Sequence, residues 1–306
     1  MSRIVNRNNA PASLVAFAQA KHYDAAGSTY TVTQLIDSPR LRILRSRYHD
    51  RIEEDAYDVV FRLIGTSIHH IAEQFSGGGE AEERVFLRME VGGKKITVSG
   101  AMDLQTREDG GIVIGDYKFT SVGAAKYPEK YERQLNLYAH IIKTVKNTPV
   151  SRLEVYAILK DWNWRRAQTD SEYPQSPGIT IPVRLWSDEE QLEFFTDRVA
   201  VHVAADDGLS HDDGHGEGLV KCTEDEQWRS PSKWAVMSKK RDQRAKTGRG
   251  RAVSVVDTKP EAEALLTEED RYLEFRPGEA IRCVAFCPVS EWCEQRKQEE
   301  GNDAEQ

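Results

Sequence analysis

The sequence predicts an α/β fold, and three observations carry that prediction. Glycine pairs at Gly92-Gly93 and Gly110-Gly111 separate three strand-patterned stretches, residues 84–91, 95–104 and 112–118, as in an antiparallel meander of hairpins. A helix pattern over residues 131–145 follows, and then an apolar strand-like run over 153–159, so the chain crosses back onto its sheet through a helix. With 306 residues it is long enough to bury a full core.

Taken in order, residues 1–30 carry little periodicity and are expected to be loosely structured. Arg3 and Arg7 precede Leu14 to Ala18 and Ala18-Gln19-Ala20, a faint echo of a secretory leader that is too short and polar in its surroundings, with Asn8, Asn9 and Pro11 fitting a loose start better. Residues 32–48 and 53–74 read as helices; in the second, Ala56, Val59, Val60, Leu63 and Ile64 recur at helical spacing, and Ser76 to Gly79 end it. After the sheet-and-crossover region, residues 179–185 read as a further strand, and Ser187 caps a helix opened by Asp188, Glu189 and Glu190, where acids favour the positive end of the helix dipole. The core is thus expected over residues 31–205, followed by a connector over 206–252, acidic and then basic. His211 and His215 in that connector have a metal-compatible spacing, but their glycine-rich setting equally describes a solvated loop. A strand over 253–256, a helix over 260–272, a cysteine region to 295 and a charged tail that need not fold complete the chain.

The formal charge of −8 removes any argument for nucleic-acid binding from composition, although a local basic groove is compatible with it. No run approaches the roughly 18 apolar residues of a membrane span, so a cytoplasmic protein without a membrane partner is expected. Four cysteines, Cys222, Cys283, Cys287 and Cys293, are too few for a disulfide scaffold, and all lie in the last third. In a reducing compartment such a grouping points to metal, with four thiolates suiting an iron–sulfur cluster or tetrahedral zinc, or else to buried, unligated thiols.

The residues that carry chemistry lie between Gly65 and Tyr138. Asp116-Tyr117-Lys118 closes one strand, and period-two alternation puts its acid and its lysine on one face. Asp103 lies on the preceding hairpin strand, and Gly100, Gly110, Gly111 and Gly115 leave room for close approach. Two carboxylates that hold a hard divalent cation, with an ammonium beside them, suit metal-assisted hydrolysis of a phosphodiester. An Asp-x-Lys triplet alone is uninformative, since Asp257-Thr258-Lys259 repeats it; that copy reads as a helix start, with Asp257 or Thr258 as N-cap and Pro260 in the first turn. Gln134 and Tyr138 share one face of the crossover helix, and Gln134 is placed to look over the sheet edge toward the metal. His69, near the end of an earlier helix, supplies an imidazole that suits Mn²⁺ as well as Mg²⁺.

In this order, Gly65-x-x-x-His69, Gly100-x-x-Asp103, Asp116-x-Lys118 and Gln134-x-x-x-Tyr138, the chain resembles the RecB-type branch of the PD-(D/E)XK nuclease superfamily. The resemblance implies a restriction-endonuclease-like core, a central mixed β-sheet flanked by helices, with a cysteine-clipped C-terminal region. It implies Mg²⁺ or Mn²⁺ held by His69, Asp103, Asp116 and the carbonyl of Tyr117. Lys118 would orient or activate the attacking water, and Gln134 and Tyr138 would support the site or contact DNA. The implied activity is a deoxyribonuclease, by preference an exonuclease, acting on single- or double-stranded DNA in recombination, repair or phage DNA metabolism. A phage-encoded member would work in the host cytoplasm beside recombination or replication proteins. Several members hold a [4Fe–4S] cluster on four cysteines, and Cys283, Cys287 and Cys293 resemble their C-terminal three. The chain departs from them in placing Cys222 after the nuclease motifs and in separating Cys283 from Cys287 by three residues rather than two. The alternative reading is a non-catalytic iron–sulfur DNA-binding accessory protein with the same fold.

Two further features bear on DNA. Residues 239–251 concentrate seven positive charges, either a solvated loop or a set of phosphate contacts. Trp162 and Trp164, beside Arg165 and Arg166, either stack on single-stranded bases or cover the sheet edge.

Overall fold

The computed structural model describes residues 3–20, 25–74, 79–208, 218–244 and 250–304. His211, His215 and the five residues 245–249 of the basic run lie outside that set. The chain forms two compact units, Met1–Asp213 and Gly214–Gln306.

The N-terminal unit begins with order where looseness was expected. Strand β1 (Arg3–Val5) and helix α1 (Ala12–Gln19) precede β2 (Tyr30–Thr31), α2 (Val32–Leu35) and α3 (Pro39–Arg47). The expected helix over 32–48 is therefore two helices. Pro39 sits in the first turn of α3, where its missing N–H costs nothing, but it cannot continue the preceding helix. Strand β3 (Glu53–Asp55) corrects a second expectation, because it pairs in parallel with β1 instead of opening a helix. Asp55 then accepts the backbone N–H groups of Arg7 at 2.8 Å and Tyr57 at 3.0 Å, which fixes this corner. Helix α4 (Val60–Gln74) starts only after it. Beneath α1, Leu14 and Ala18 pack with Ala10, Ala56 and Val59 in a small core of their own.

The sheet region follows its expected order with longer strands: β4 (Glu80–Val91), β5 (Lys94–Glu108) and β6 (Gly111–Thr120). Gly92 and Gly93, at φ 57° and 78°, form the turn between β4 and β5, a conformation that side chains with a Cβ resist. Helix α5 (Glu129–Lys146) has Glu129 and Glu132 in its first turn and Lys143 and Lys146 in its last, each complementing the local end of the dipole. Strand β7 (Val150–Leu159) then runs parallel to β6, as a helical crossover requires. After α6 (Trp164–Thr169), strand β8 (Gly178–Val183) pairs antiparallel with β7, and α7 (Asp188–Asp207) starts at a capping box between Ser187 and Glu190. The sheet order is β2-β5-β6-β7-β8, with β4 on the other side of β5, giving a central mixed sheet flanked by helices.

Its core joins Leu135, Leu137, Ile141 and Ile142 of α5 to Val98, Ile114, Leu153 and Val155 of the sheet and Phe195 and Val199 of α7. Two polar devices fix the helices that cover it. Asn136, fully buried, donates to the carbonyls of Glu132 and Arg184, both at 2.9 Å, and accepts from Trp186 N–H at 2.8 Å and Gln191 at 3.2 Å. His202 accepts from Arg42 Nε at 3.1 Å, so its Nε2 carries the proton that faces the Asp37 carbonyl at 3.2 Å. Burial first, then the nearby Arg42 and Arg198, press the His202 pKa down to about 4. The neutral ring is therefore a structural strut between α3 and α7.

In the C-terminal unit, strand β9 (Lys233–Ser238) leads into α8 (Lys239–Arg244), then β10 (Ser254–Val256), α9 (Lys259–Ala264) and β11 (Arg271–Arg276), with β9 central in an antiparallel sheet. The expected helix over 260–272 thus ends at Ala264, and residues 271–276 form a strand. Thr258 caps α9 by accepting from Glu261 N–H, so the second Asp-x-Lys copy is the helix start anticipated for it. Helices α10 (Ile281–Ala285) and α11 (Glu294–Ala304) complete the unit, so the tail expected to need no fold is helical. Its anchors are Gln295, which bonds both ways to the Cys222 backbone at 2.8 and 3.0 Å, and an Arg229–Glu299 ion pair at 2.6 Å. Among the described residues no helix is long and apolar enough to cross a membrane.

Candidate metal centre

Strand β6 carries Asp116 and Lys118 on one face, and their side chains meet: Lys118 Nζ lies 2.5 Å from Asp116 Oδ2. That approach misses hydrogen-bond angles, so Oδ2, fully buried, has a cation beside it but no aligned donor. The ladder between β5 and β6 stops at Leu104 and Gly115, one residue short of both carboxylates. Beyond it the Asp103 side chain takes the place of a backbone acceptor, with Oδ2 receiving Tyr117 N–H at 2.7 Å. The N–H and C=O of a strand residue point to the same neighbour, which turns the Tyr117 carbonyl toward β5 as well. Helix α4 brings His69 to the other oxygen of Asp103, with Nδ1 3.2 Å from Oδ1.

The electrostatics fit a site short of positive charge. Burial lifts the Asp116 pKa to about 6; the Asp103 carboxylate adds to the rise and Lys118 opposes it. For Lys118, burial acts to lower the pKa, but Asp116, followed by Asp103 and Tyr131, outweighs it and the ammonium is held more firmly than usual. Tyr131 of α5 is a buried neighbour of Lys118 that the motif spacing did not single out.

Asp103, Asp116, Lys118 and His69 are therefore brought together as two linked pairs, and Tyr117 connects them. Among the described residues no three His, Cys, Asp or Glu side chains form a group assembled tightly enough to hold a metal. The buried, unaligned Asp116 oxygen nevertheless fits a cation of higher charge than an ammonium. Gln134 and Tyr138, on one face of α5, are joined, with Gln134 Nε2 donating to the Tyr138 hydroxyl at 2.9 Å. Tyr138 itself is buried against the sheet, and Gly100 is what admits it: a Cβ there would lie 2.8 Å from the ring. Gly65, by contrast, faces open space on α4.

A cavity of about 790 Å³ opens past the ends of β6 and β7, lined among others by Val122, Lys126, Tyr127, Asn163 and Arg166. None of the four charged residues of the metal centre lines it. Trp162 is a sheet-edge residue, donating from its indole to the Pro174 carbonyl at 2.7 Å and packing on the core, whereas Trp164 is exposed.

The four cysteines come from two segments, and none of them is in a disulfide. The Gln295 clamp holds Cys222 to the chain two residues past Cys293. Burial, and then the proximity of Cys287 and Cys293, raise the Cys283 pKa to about 11. They are not gathered into a ligand set in this structure.

No family model matches the chain, and no curated protein matches it. Among solved structures, SSO0001 is similar at a TM-score of 0.40 and 14% identity, over 61% of this chain and 82% of that one, a likeness too slight to carry an argument.

Proposed function

We propose that the protein is a divalent-metal-dependent deoxyribonuclease of the RecB-type PD-(D/E)XK branch, working as an exonuclease in recombination, repair or phage DNA metabolism. The observation that supports it best is the buried Asp116 carboxylate, held beside Lys118 and in the field of Asp103, with one oxygen lacking an aligned donor. His69, Asp103, Asp116 and the Tyr117 carbonyl would hold Mg²⁺ or Mn²⁺, which would supply Lewis-acid polarisation of a phosphoryl oxygen and of water. Lys118, whose ammonium lies beside the Asp116 carboxylate, would orient the attacking water or face charge building on a phosphate oxygen. The Tyr117 N–H keeps Asp103 in place throughout, as an outer hydrogen bond does for a metal-binding carboxylate. Gln134 acts through Tyr138, bracing α5 against the floor of the site.

End-labelled DNA is the direct test. Cleavage is expected with Mg²⁺ or Mn²⁺ and absent in EDTA. The proton on Asp116 competes with the metal, so at limiting metal the rate should climb as pH rises through about 6, and more metal should move the midpoint down. Cleavage that persists in EDTA, or DNA that is bound and never cut with either metal, refutes the reading.

For the C-terminal unit the proposal is a [4Fe–4S] cluster on Cys222, Cys283, Cys287 and Cys293, with zinc as the alternative occupant. The support is the two-way clamp of Gln295 on Cys222, which ties the two cysteine-bearing segments together. Protein purified without oxygen should be brown and contain iron and inorganic sulfide; colourless protein free of iron rules the cluster out.

A further inference from the structure

The C-terminal unit contains a cleft of about 550 Å³ whose charged lining, among the described residues, is Arg241, Arg251 and Arg276, on α8, the approach to β10, and β11. Three separate elements deliver guanidinium groups to one place, and among the described residues no acid lines it. The remaining wall is Gly250, Ala252, Ser254 and two valines, of which Val255 is 46% exposed.

The architecture compensates this charge only in part, through the Arg276–Glu274 ion pair. Asp242, the one acid of the described basic run, is turned to structural work, accepting Gly250 N–H at 2.6 Å and the Tyr272 hydroxyl at 2.7 Å. Arg241 spends one nitrogen on the Ala252 carbonyl at 3.2 Å, which folds the chain back over α8. Gly250 permits that return, because a Cβ there would lie 2.7 Å from the Arg241 backbone. Arg276 uses Nε on Glu274 at 2.9 Å and directs Nη2 to Met237 sulfur at 3.7 Å. Arg251 is exposed and, among the described residues, makes no side-chain hydrogen bond or ion pair. The cleft thus gathers three guanidinium groups, of which Arg276 is paired with Glu274 and Arg251 makes no side-chain bond among the described residues.

We propose that this cleft binds the phosphates of a nucleic-acid backbone. Planar guanidinium forks match the oxygens of a phosphate in pairs, which a lysine ammonium does not. Charges delivered from three elements suit a ligand that repeats its own charge, and an exposed valine on the floor suits the apolar faces of the sugars. In a chain of net charge −8, a lining of this sign is a local exception, and such contacts give affinity without sequence preference. The proposal does not depend on the chemistry of the metal centre, which belongs to the other unit.

Fluorescence anisotropy of a short labelled oligonucleotide, with the full-length protein in EDTA, tests this without any cleavage. Arg251→Ala should weaken binding roughly fivefold and reduce the slope of log affinity against log salt by about one. Arg251→Glu should weaken it further, while Lys95→Ala, an exposed cation of the other unit, should leave it unchanged. Circular dichroism of each variant checks that the fold is retained. Affinity and salt slope in Arg251→Glu equal to those of the parent overturn the proposal. So does polyglutamate binding as tightly as the oligonucleotide with the same dependence on Arg251, which would mark a site for acidic peptides. Because the measurement excludes metal, loss of this proposal and loss of the nuclease reading are separate outcomes.

Discussion

Asp116→Asn should lower the rate of DNA cleavage by at least roughly a thousandfold. The substitution preserves shape and removes only charge. Its carboxylate is almost wholly buried, at 4% side-chain exposure, and is the partner that holds Lys118. An amide offers one oxygen of lower charge, so a divalent cation loses its best-desolvated ligand and Lys118 loses its counter-ion in the same step. The stability consequence carries a definite sign. A carboxyl whose folded pKa is raised to about 6 contributes most below its unfolded value, and that contribution is lost as pH rises through 6. Above that pH the metal should restore it, so Mg²⁺ or Mn²⁺ should raise the thermal midpoint of the parent and not of Asp116→Asn. Lys118→Ala separates the roles, since it should lose cleavage yet keep the metal-induced rise. Parent-like cleavage by either variant would remove the assignment.

Asn136→Ala should destabilise the N-terminal unit by about 3 kcal/mol, because the buried amide bonds several groups at once and all of them lose a partner together. The Trp186 N–H, the Arg184 carbonyl and the Gln191 amide all lose a bond, with Asn136 itself fully buried among them. In a unit of this size the thermal midpoint should fall by roughly 6–12 °C. Cleavage per folded molecule should be unchanged well below the transition, since the residue joins α5 to the entry of α7 and not to the metal centre. A midpoint within a degree of the parent would show that water replaces the lost partners.

Much of the sheet was legible in the sequence because its signals are local. The Gly92-Gly93 and Gly110-Gly111 turns separate strands whose side chains alternate, and Ser187 announces the start of α7 within four residues. What was not legible depends on distant partners. Glu53-Glu54-Asp55 has no apolar alternation, and it is a strand only because Arg3-Ile4-Val5 lies beside it. Residues 271–276 are a strand, yet the strong start at Thr258 carried the expected helix through 271 and 272, past its actual end at Ala264. The tail has helical composition but no apolar stripe, and what holds it is a polar clamp on a segment some seventy residues away. At the site, the spacing of Asp116 and Lys118 implied their shared face directly. The bond from Tyr117 N–H to Asp103 needed the point where the ladder stops, and no spacing encodes that.

The contact between position 100 and the ring of Tyr138 has an evolutionary corollary. A glycine on the sheet floor and an aromatic on the covering helix fill one volume between them, so neither can change size unless the other compensates. Across descendants of this chain the two positions should vary in concert, with any gain of bulk at 100 matched by a smaller side chain at 138. A lineage in which they drifted independently would have to seat that helix at a different height above its strands.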